Sequence, residues 1–260
     1  MGIFDRTDIL VGTEGRKALQ DARVAIYGLG GVGAACAMDL VRIGVGHFYV
    51  VDFDLVEESN LNRLYFGYHS TVGRPKADVF AEFARDVNPE VEIEVHKRFF
   101  SGADAAQAVD VDADYHADCI DSLNAKVSLI EELCGRYAHF IAAMGTAGRL
   151  CPERLKVGSI WQTKGCPLAK SVRVRLKHRG VTADFPVVWS DEEPVKPVAP
   201  ESLSGDHLNR EGAAPVSGRV RMVQGSGPFV PQVAGHIIAS WITRQILANL
   251  THLNPPSQGV

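Results

Sequence analysis

The chain has 260 residues, 46% of them hydrophobic, enough to build one large α/β domain, or one with a small appendage. Its net charge of −4 gives no global sign of nucleic-acid binding, so only a local basic face could provide one. The five cysteines (Cys36, Cys119, Cys134, Cys151 and Cys166) are odd in number and form no CxxC pair, which argues for free thiols in a reducing compartment. No stretch reaches the ~18 apolar residues of a membrane span. The start MGIFDRTDIL lacks a basic segment followed by an apolar one, so the expected location is the cytoplasm, with no membrane contact.

In chain order, residues 23–28 (RVAIYG) read as a short apolar strand that runs into GLGGVG at 28–33. Residues 34–43 are small, apolar and helical in character. Residues 47–52 (HFYVVD) form the next strand. Residues 75–87 read as a helix with Pro75 near its first turn. Residues 91–96 alternate as a strand does, and 115–121 (YHADCID) read as a strand ending in an acid. Residues 126–136 are an amphipathic helix and 139–144 a further strand. Strands alternating with helices imply βαβ units with right-handed crossovers. The fold class is therefore α/β: a Rossmann-like, mostly parallel sheet with helices on both faces.

After Gly145 the rhythm changes. Residues 155–162 read as a strand, 167–178 as a basic helix and 185–189 as a short strand. Residues 192–212 read as a polar, proline-rich loop, 220–223 as another strand, and 233–250 as a strongly apolar closing helix. One domain is expected: residues 1–150 would form a nucleotide-binding core and 151–260 an elaborated C-terminal third facing the substrate.

Gly28, Gly30 and Gly33 fit G-x-G-x-x-G between a strand and a helix. The first glycine makes the tight turn, the second lets backbone approach phosphate, and the third allows helix–strand packing. Asp52 follows Gly33 by 19 residues, close to the ~20 expected of an acid that holds ribose hydroxyls. The stretch from 52 to 78 then supplies Asn60, Asn62, Arg63 and Lys76. Hydride transfer does not need two cations beyond the ribose. Cleavage of a nucleoside triphosphate does, because fixed cations stabilise the charge that builds on departing phosphates. Asn60 and Asn62 suit the orientation of an attacking oxygen, and Asp121 suits a Mg²⁺ bridging the phosphates.

GLGGVG, VDFD, SNLNR, GRPK and CIDS, in that order, resemble the superfamily of ubiquitin-activating enzymes and molybdopterin- or thiamine-pathway adenylyltransferases. The resemblance covers at least residues 6–150 and implies ATP activation of a carboxylate as an acyl-adenylate. It implies that Gly31 belongs to the phosphate loop and that Asp52, with Asp54 beside it, takes the ribose. Ser59, Asn60, Asn62 and Arg63 would line the ATP, Lys76 would contact phosphate, and Asp121, next to Ser122, would hold the metal. Arg6 matches an arginine that reaches into a partner subunit's site, which implies a homodimer. Members that charge a protein tail carry paired CxxC motifs for zinc, and this chain has none.

The C-terminal third is similar to a narrower group, the tRNA threonylcarbamoyladenosine dehydratases, through PERLKVGSI, PLAKSVR and PVVWSDE. That similarity implies a tRNA substrate, engaged at the anticodon loop, whose threonyl carboxylate is activated by ATP and cyclises with net loss of water. A sulfur-transfer protein is a further partner consistent with the wider resemblance. Cys166 and Cys151 depart from the group's pattern; Cys166 is expected to be an inert cysteine on the loop before the basic helix, with an exposed and reactive thiol as the alternative. Lys164, Lys170, Arg173, Arg175, Lys177, His178 and Arg179 fall within 16 residues, and Arg210, Arg219 and Arg221 follow, a footprint for phosphate backbone. Arg173 and Lys177 share a helical face, whereas Arg175 is expected to pair with an acidic residue of the core. Two other readings compete: an adenylyltransferase for a ubiquitin-like or sulfur-carrier protein, and a non-catalytic nucleotide-dependent scaffold.

Overall fold

A computed structural model of the chain describes residues 2–98, 105–198, 225–248 and 250. The expected strand at 220–223, most of the loop at 192–212, and Arg210, Arg219 and Arg221 lie outside the described residues.

The first element is a helix that the sequence reading left unassigned, α1 (Asp5–Asp21), kinked at Gly12, whose φ is +71°. Thr7, Val11, Gly15 and Leu19 are buried along it. That spacing of four is one helical face. The βαβ core follows as β1 (Arg23–Tyr27), α2 (Gly31–Ile43), β2 (His47–Val51), α3 (Lys76–Val87) and β3 (Glu92–His96). A short helix, α4 (Ala105–Ala108), precedes β4 (Tyr115–Asp118), α5 (Leu123–Gly135) and β5 (Phe140–Ala143). The last part supplies β6 (Leu155–Ser159), α6 (Pro167–His178), β7 (Pro186–Ser190) and α7 (Phe229–Leu247). Two strands are shorter than the sequence suggests. β4 stops at Asp118 rather than Asp121, and β6 gives way after Ser159 to a 3-10 turn over Ile160–Gln162.

The seven strands form one sheet in the order β3-β2-β1-β4-β5-β7-β6. All neighbours pair in parallel except β6, which runs antiparallel to β7 at the edge. β1 and β2 are buried along nearly their whole length, as parallel strands covered on both faces must be. Their side chains alternate between two cores. Val24 and Ile26 join α1, α2, α3 and α7 on one face. Ala25 and Tyr27 join α4, α5 and α6 on the other. The strand order reverses between β1 and β4, and the crevice outside their carboxyl ends is where such sheets bind ligands.

Beneath that crevice lies a buried ion pair absent from the sequence reading. Lys126 Nζ of α5 donates to Asp118 Oδ2 at the end of β4 over 2.7 Å, and both side chains are fully buried. Ile120 N–H donates to the other oxygen at 3.1 Å. Burial raises the Asp118 carboxyl pKa, and the Lys126 charge and these hydrogen bonds pull it back. The pair locks the strand-to-helix turn that carries Asp121. Replacing Lys126→Met strands a buried carboxylate, so urea titration should show a loss of about 3–5 kcal/mol. Adding Asp118→Leu should recover most of it. A single Lys126→Met variant within about 1 kcal/mol of the parent would contradict this role.

Candidate nucleotide site

The loop leaving β1 is built by backbone constraints. Gly28 has φ +89° and donates its N–H to Val51 O at 2.8 Å. A side chain there would be strained and would press on Cys119 O at 3.1 Å. A Cβ on Gly33 would fall 1.8 Å from Gly28 O, so only glycine lets α2 start this close to the strand. Gly30 caps α2, and a Cβ on it would meet nothing within 4 Å. The helix N-terminus, with its unpaired N–H groups and positive dipole end, thus faces open space suited to an anion.

Asp52, one residue past β2, fastens this loop. Its carboxylate accepts from Leu29 N–H at 2.5 Å and from Asp54 N–H at 2.8 Å. The side chain is buried, which raises its pKa, while the charge of Lys76 and the two N–H groups lower it. Each carboxylate oxygen retains acceptor capacity for a ribose hydroxyl. Asp54 in turn holds Lys76: Nζ lies 2.8 Å from Asp54 Oδ2, and the Lys76 N–H bonds to Asp54 O at 3.0 Å. Lys76 is only 7% exposed, at the first turn of α3.

The segment between them is a 3-10 turn over Glu58–Asn60 that runs into Arg63. Asn60 Oδ1 accepts from Glu57 N–H at 3.3 Å, and its amide donates to Ser59 Oγ at 3.2 Å. Asn62 donates to Ser226 O at 2.8 Å. Arg63 folds back on its own loop, donating to Ser59 O at 2.9 Å and to Asn62 Oδ1 at 3.0 Å. The Arg63 stem also lies against the phosphate loop, because a Cβ on Gly31 would sit 3.3 Å from Arg63 Cγ. Ser59, Asn60 and Asn62 therefore build the loop that presents Arg63.

Asp121 and Ser122 follow β4 at the mouth of the crevice. Asp121 is exposed and Ser122 is the N-cap residue of α5. Among the described residues no group of three or more His, Cys, Asp or Glu is placed to hold a metal ion. A Mg²⁺ there would rest on Asp121 and on nucleotide phosphates, the mixed coordination Mg²⁺ favours.

Arg6 is exposed and stands apart from the other candidate residues. Phe4, its near neighbour, touches the space around Gly44 at the far end of α2. At 1.5 Å per residue that is roughly 20 Å along the helix from Gly31. Arg6 does not join its own chain's crevice.

A cavity of about 630 Å³ opens at the amino end of β4, away from the crevice, and is lined in part by Asp114, Tyr115 and His116. Burial lowers His116 to a pKa of about 4, so it is neutral at pH 7. That cavity has neither the glycine loop nor the Lys76 and Arg63 cations.

The basic helix is correctly placed, but part of its charge is engaged. Arg173 bonds to Thr163 Oγ1, and Lys177 Nζ sits 5.4 Å from the Trp161 ring centroid. Arg175 bonds to Asn124, an amide rather than an acid. The pairing with an acidic core residue belongs to Arg179, which meets Glu131 of α5 at 2.6 Å. Lys164 and Lys170 are exposed.

Cys166 is buried at 5% exposure, not open on a loop. Burial also pushes the Cys119 thiol up to about 12 and Cys134 up to about 11, so neither is a nucleophile at neutral pH.

A glycine loop at a topological switch point, an acid after β2 and two cations beyond it define a nucleotide-binding α/β protein. The sequence model of the ThiF family matches residues 4–159, and the chain belongs to that family. It is 34% identical over 247 residues to tRNA threonylcarbamoyladenosine dehydratase of Bacillus subtilis, covering 95% of each chain. Over a shorter span of 122 residues, 46% of this chain and 49% of the other, it is 35% identical to molybdopterin-synthase adenylyltransferase of Escherichia coli. Among solved structures, E. coli tRNA N6-threonylcarbamoyladenosine dehydratase in complex with ATP superposes with a TM-score of 0.80 at 27% identity, covering 96% of both chains.

In native protein, Cys36, Cys119 and Cys166 should react with a water-soluble thiol reagent far more slowly than they do in urea. Labelling of Cys166 at the rate of a free thiol would refute its burial.

Proposed function

We propose that the protein is an ATP-dependent tRNA threonylcarbamoyladenosine dehydratase. The observation that carries this reading is the reach of the likeness. It extends past residue 159, through α6, β7 and α7, over 95% of the dehydratase from B. subtilis, whereas the likeness to the carrier-protein adenylyltransferase stops at under half of either chain.

In this reading the Gly28–Gly33 loop and the α2 N-terminus take the phosphates, and Asp52 takes the ribose. The threonyl carboxylate oxygen attacks the α-phosphorus of ATP, and pyrophosphate leaves with the bonding electron pair. Arg63 and Lys76 stabilise the charge that develops on those phosphates. Asp121 would hold a Mg²⁺ ion, which would supply neutralising positive charge during the transfer. The side-chain carbamoyl group then attacks the activated acyl carbon and adenylate departs, so the net change in the nucleoside is loss of water. Asn60 and Asn62 keep the Arg63 loop in shape beside the reacting atoms. Arg6 completes the site of a second copy, since its own crevice lies at the other end of α2. The RNA backbone runs over the exposed cations of α6, and the protein works in the cytoplasm with its substrate.

Pyrophosphate or phosphate release from ATP tests the reading, measured with modified tRNA, with a Gly-Gly-tailed carrier protein, and with neither. Stimulation by the modified tRNA alone is expected. Stimulation by the carrier alone would replace this reading with the adenylyltransferase one.

Two substitutions should separate binding from chemistry. Arg63→Ala should lower kcat by on the order of 10²-fold while leaving much of the ATP affinity, because it acts on departing charge. Asp52→Ala should instead weaken ATP binding in a direct titration, by about tenfold or more, since a ribose contact serves ground and transition states alike. Unchanged ATP affinity would place the nucleotide elsewhere.

Affinity for tRNA should fall log-linearly with salt while ATP binding changes little. Lys170→Ala with Lys177→Ala, seven residues apart on one helical face, should reduce that slope by roughly one to two units. Identical slopes for parent and variant would make α6 a solvated surface only.

A further inference from the structure

The first turn of α7 meets the phosphate loop and the Arg63 loop at once. A Cβ on Gly31 would lie 3.0 Å from Pro231 Cβ and 3.3 Å from Arg63 Cγ, so both side chains pack against Gly31. Gln232 Nε2 donates to Arg63 O at 3.2 Å, across 169 residues of sequence. The neighbouring tie is Asn62 to Ser226 O, across 164 residues. By contrast, the hydrogen bonds of the Arg63 guanidinium go to Ser59 and Asn62, within its own loop. Those local bonds shape the loop but do not fix where it stands relative to the phosphates.

The helix bearing Gln232 is itself firmly seated. One turn on, a Cβ at Gly235 would fall 2.3 Å from Val32 O, so α7 lies directly on the backbone of α2. His236 Nδ1 meets Asp39 Oδ2 of α2 at 2.5 Å, and its ring sits edge-on to Tyr65 at 6.2 Å. α7 is thus referenced to the same helix whose N-terminus forms the phosphate site. A long side chain with a floating base cannot hold its charge to within the fraction of an ångström that phosphate chemistry requires.

We infer that Gln232 is a positioning residue for Arg63: its amide holds the Arg63 backbone in register with the Gly28–Gly33 loop, so that the guanidinium meets the departing phosphates. This inference rests on the proposed function for the identity of the reaction, not for the geometry.

A double-mutant cycle on ATP turnover tests it. Gln232→Met keeps the length and removes the donor. It should lower kcat about tenfold, with ATP affinity within about twofold of the parent. In an Arg63→Ala background the same change should cost less than about twofold, because there is no guanidinium left to position. Gln232→Lys keeps a donor within reach of the Arg63 carbonyl and should retain most of the turnover, which also guards against misfolding of the Met variant. Unchanged turnover in Gln232→Met, or equal losses with and without Arg63, would overturn the assignment. The Arg63 Nε–H resonance of ATP-loaded protein gives a reading independent of tRNA. It should be sharp in the parent and broadened by Gln232→Met. If that holds while the parent fails to turn over ATP with modified tRNA, the functional reading falls and the positioning role stands. If the resonance is identical in both, the positioning role falls.

Discussion

The site depends on one buried carboxylate. Asp52 accepts two backbone N–H groups, Leu29 from the glycine loop and Asp54 from the stretch leading toward Lys76. Burying an ionised carboxylate is costly unless hydrogen bonds and a countercharge compensate, and both are present here. The N–H groups bind the charged form, and Lys76 supplies opposite charge one step away through Asp54. Tying β1 and β2 together at their carboxyl ends, this carboxylate fixes the glycine loop and Lys76 in a single frame.

The rest of the fold holds that frame still. The Asp118–Lys126 pair anchors the turn after β4, on the other side of the switch point, and α7 lies across α2 behind the phosphate loop. The C-terminal third is part of the same sheet, since β7 pairs with β5 and β6 with β7. Under the proposed function, the residues that would face the substrate are carried on elements hydrogen-bonded to the nucleotide core. Binding energy gained on that face can in this way be used to place a carboxylate against a phosphate, which is how enzymes lower the barrier to a two-substrate reaction.

Much of this was legible in the sequence, and the failures have physical reasons. GLGGVG and Asp52 are local patterns whose spacing is dictated by backbone geometry, so the turn from β1 into α2 and the acid after β2 fall where the sequence puts them. α1 escaped because its buried stripe of Thr7, Val11, Gly15 and Leu19 holds only two strongly apolar residues, interrupted by a kink at Gly12. The strand through Asp121 was read too long because Cys119 and Ile120 continue its apolar character, although the chain turns at Asp118 toward Lys126. That pair, the Gln232 tie to Arg63 and the burial of Cys166 depend on contacts distant in sequence, which periodicity does not reveal. Arg175 and Arg179 differ by one helical turn, and only the packing of α6 on α5 decides which of them meets Glu131.

The proposed reaction removes one water from a single modified nucleoside. Purified protein, ATP, Mg²⁺ and tRNA carrying N6-threonylcarbamoyladenosine should yield, after digestion under mild conditions, a nucleoside lighter by one water, detected by mass spectrometry. The product should depend on ATP and be lost in Arg63→Ala. An unchanged nucleoside in the presence of active ATP cleavage would contradict the account.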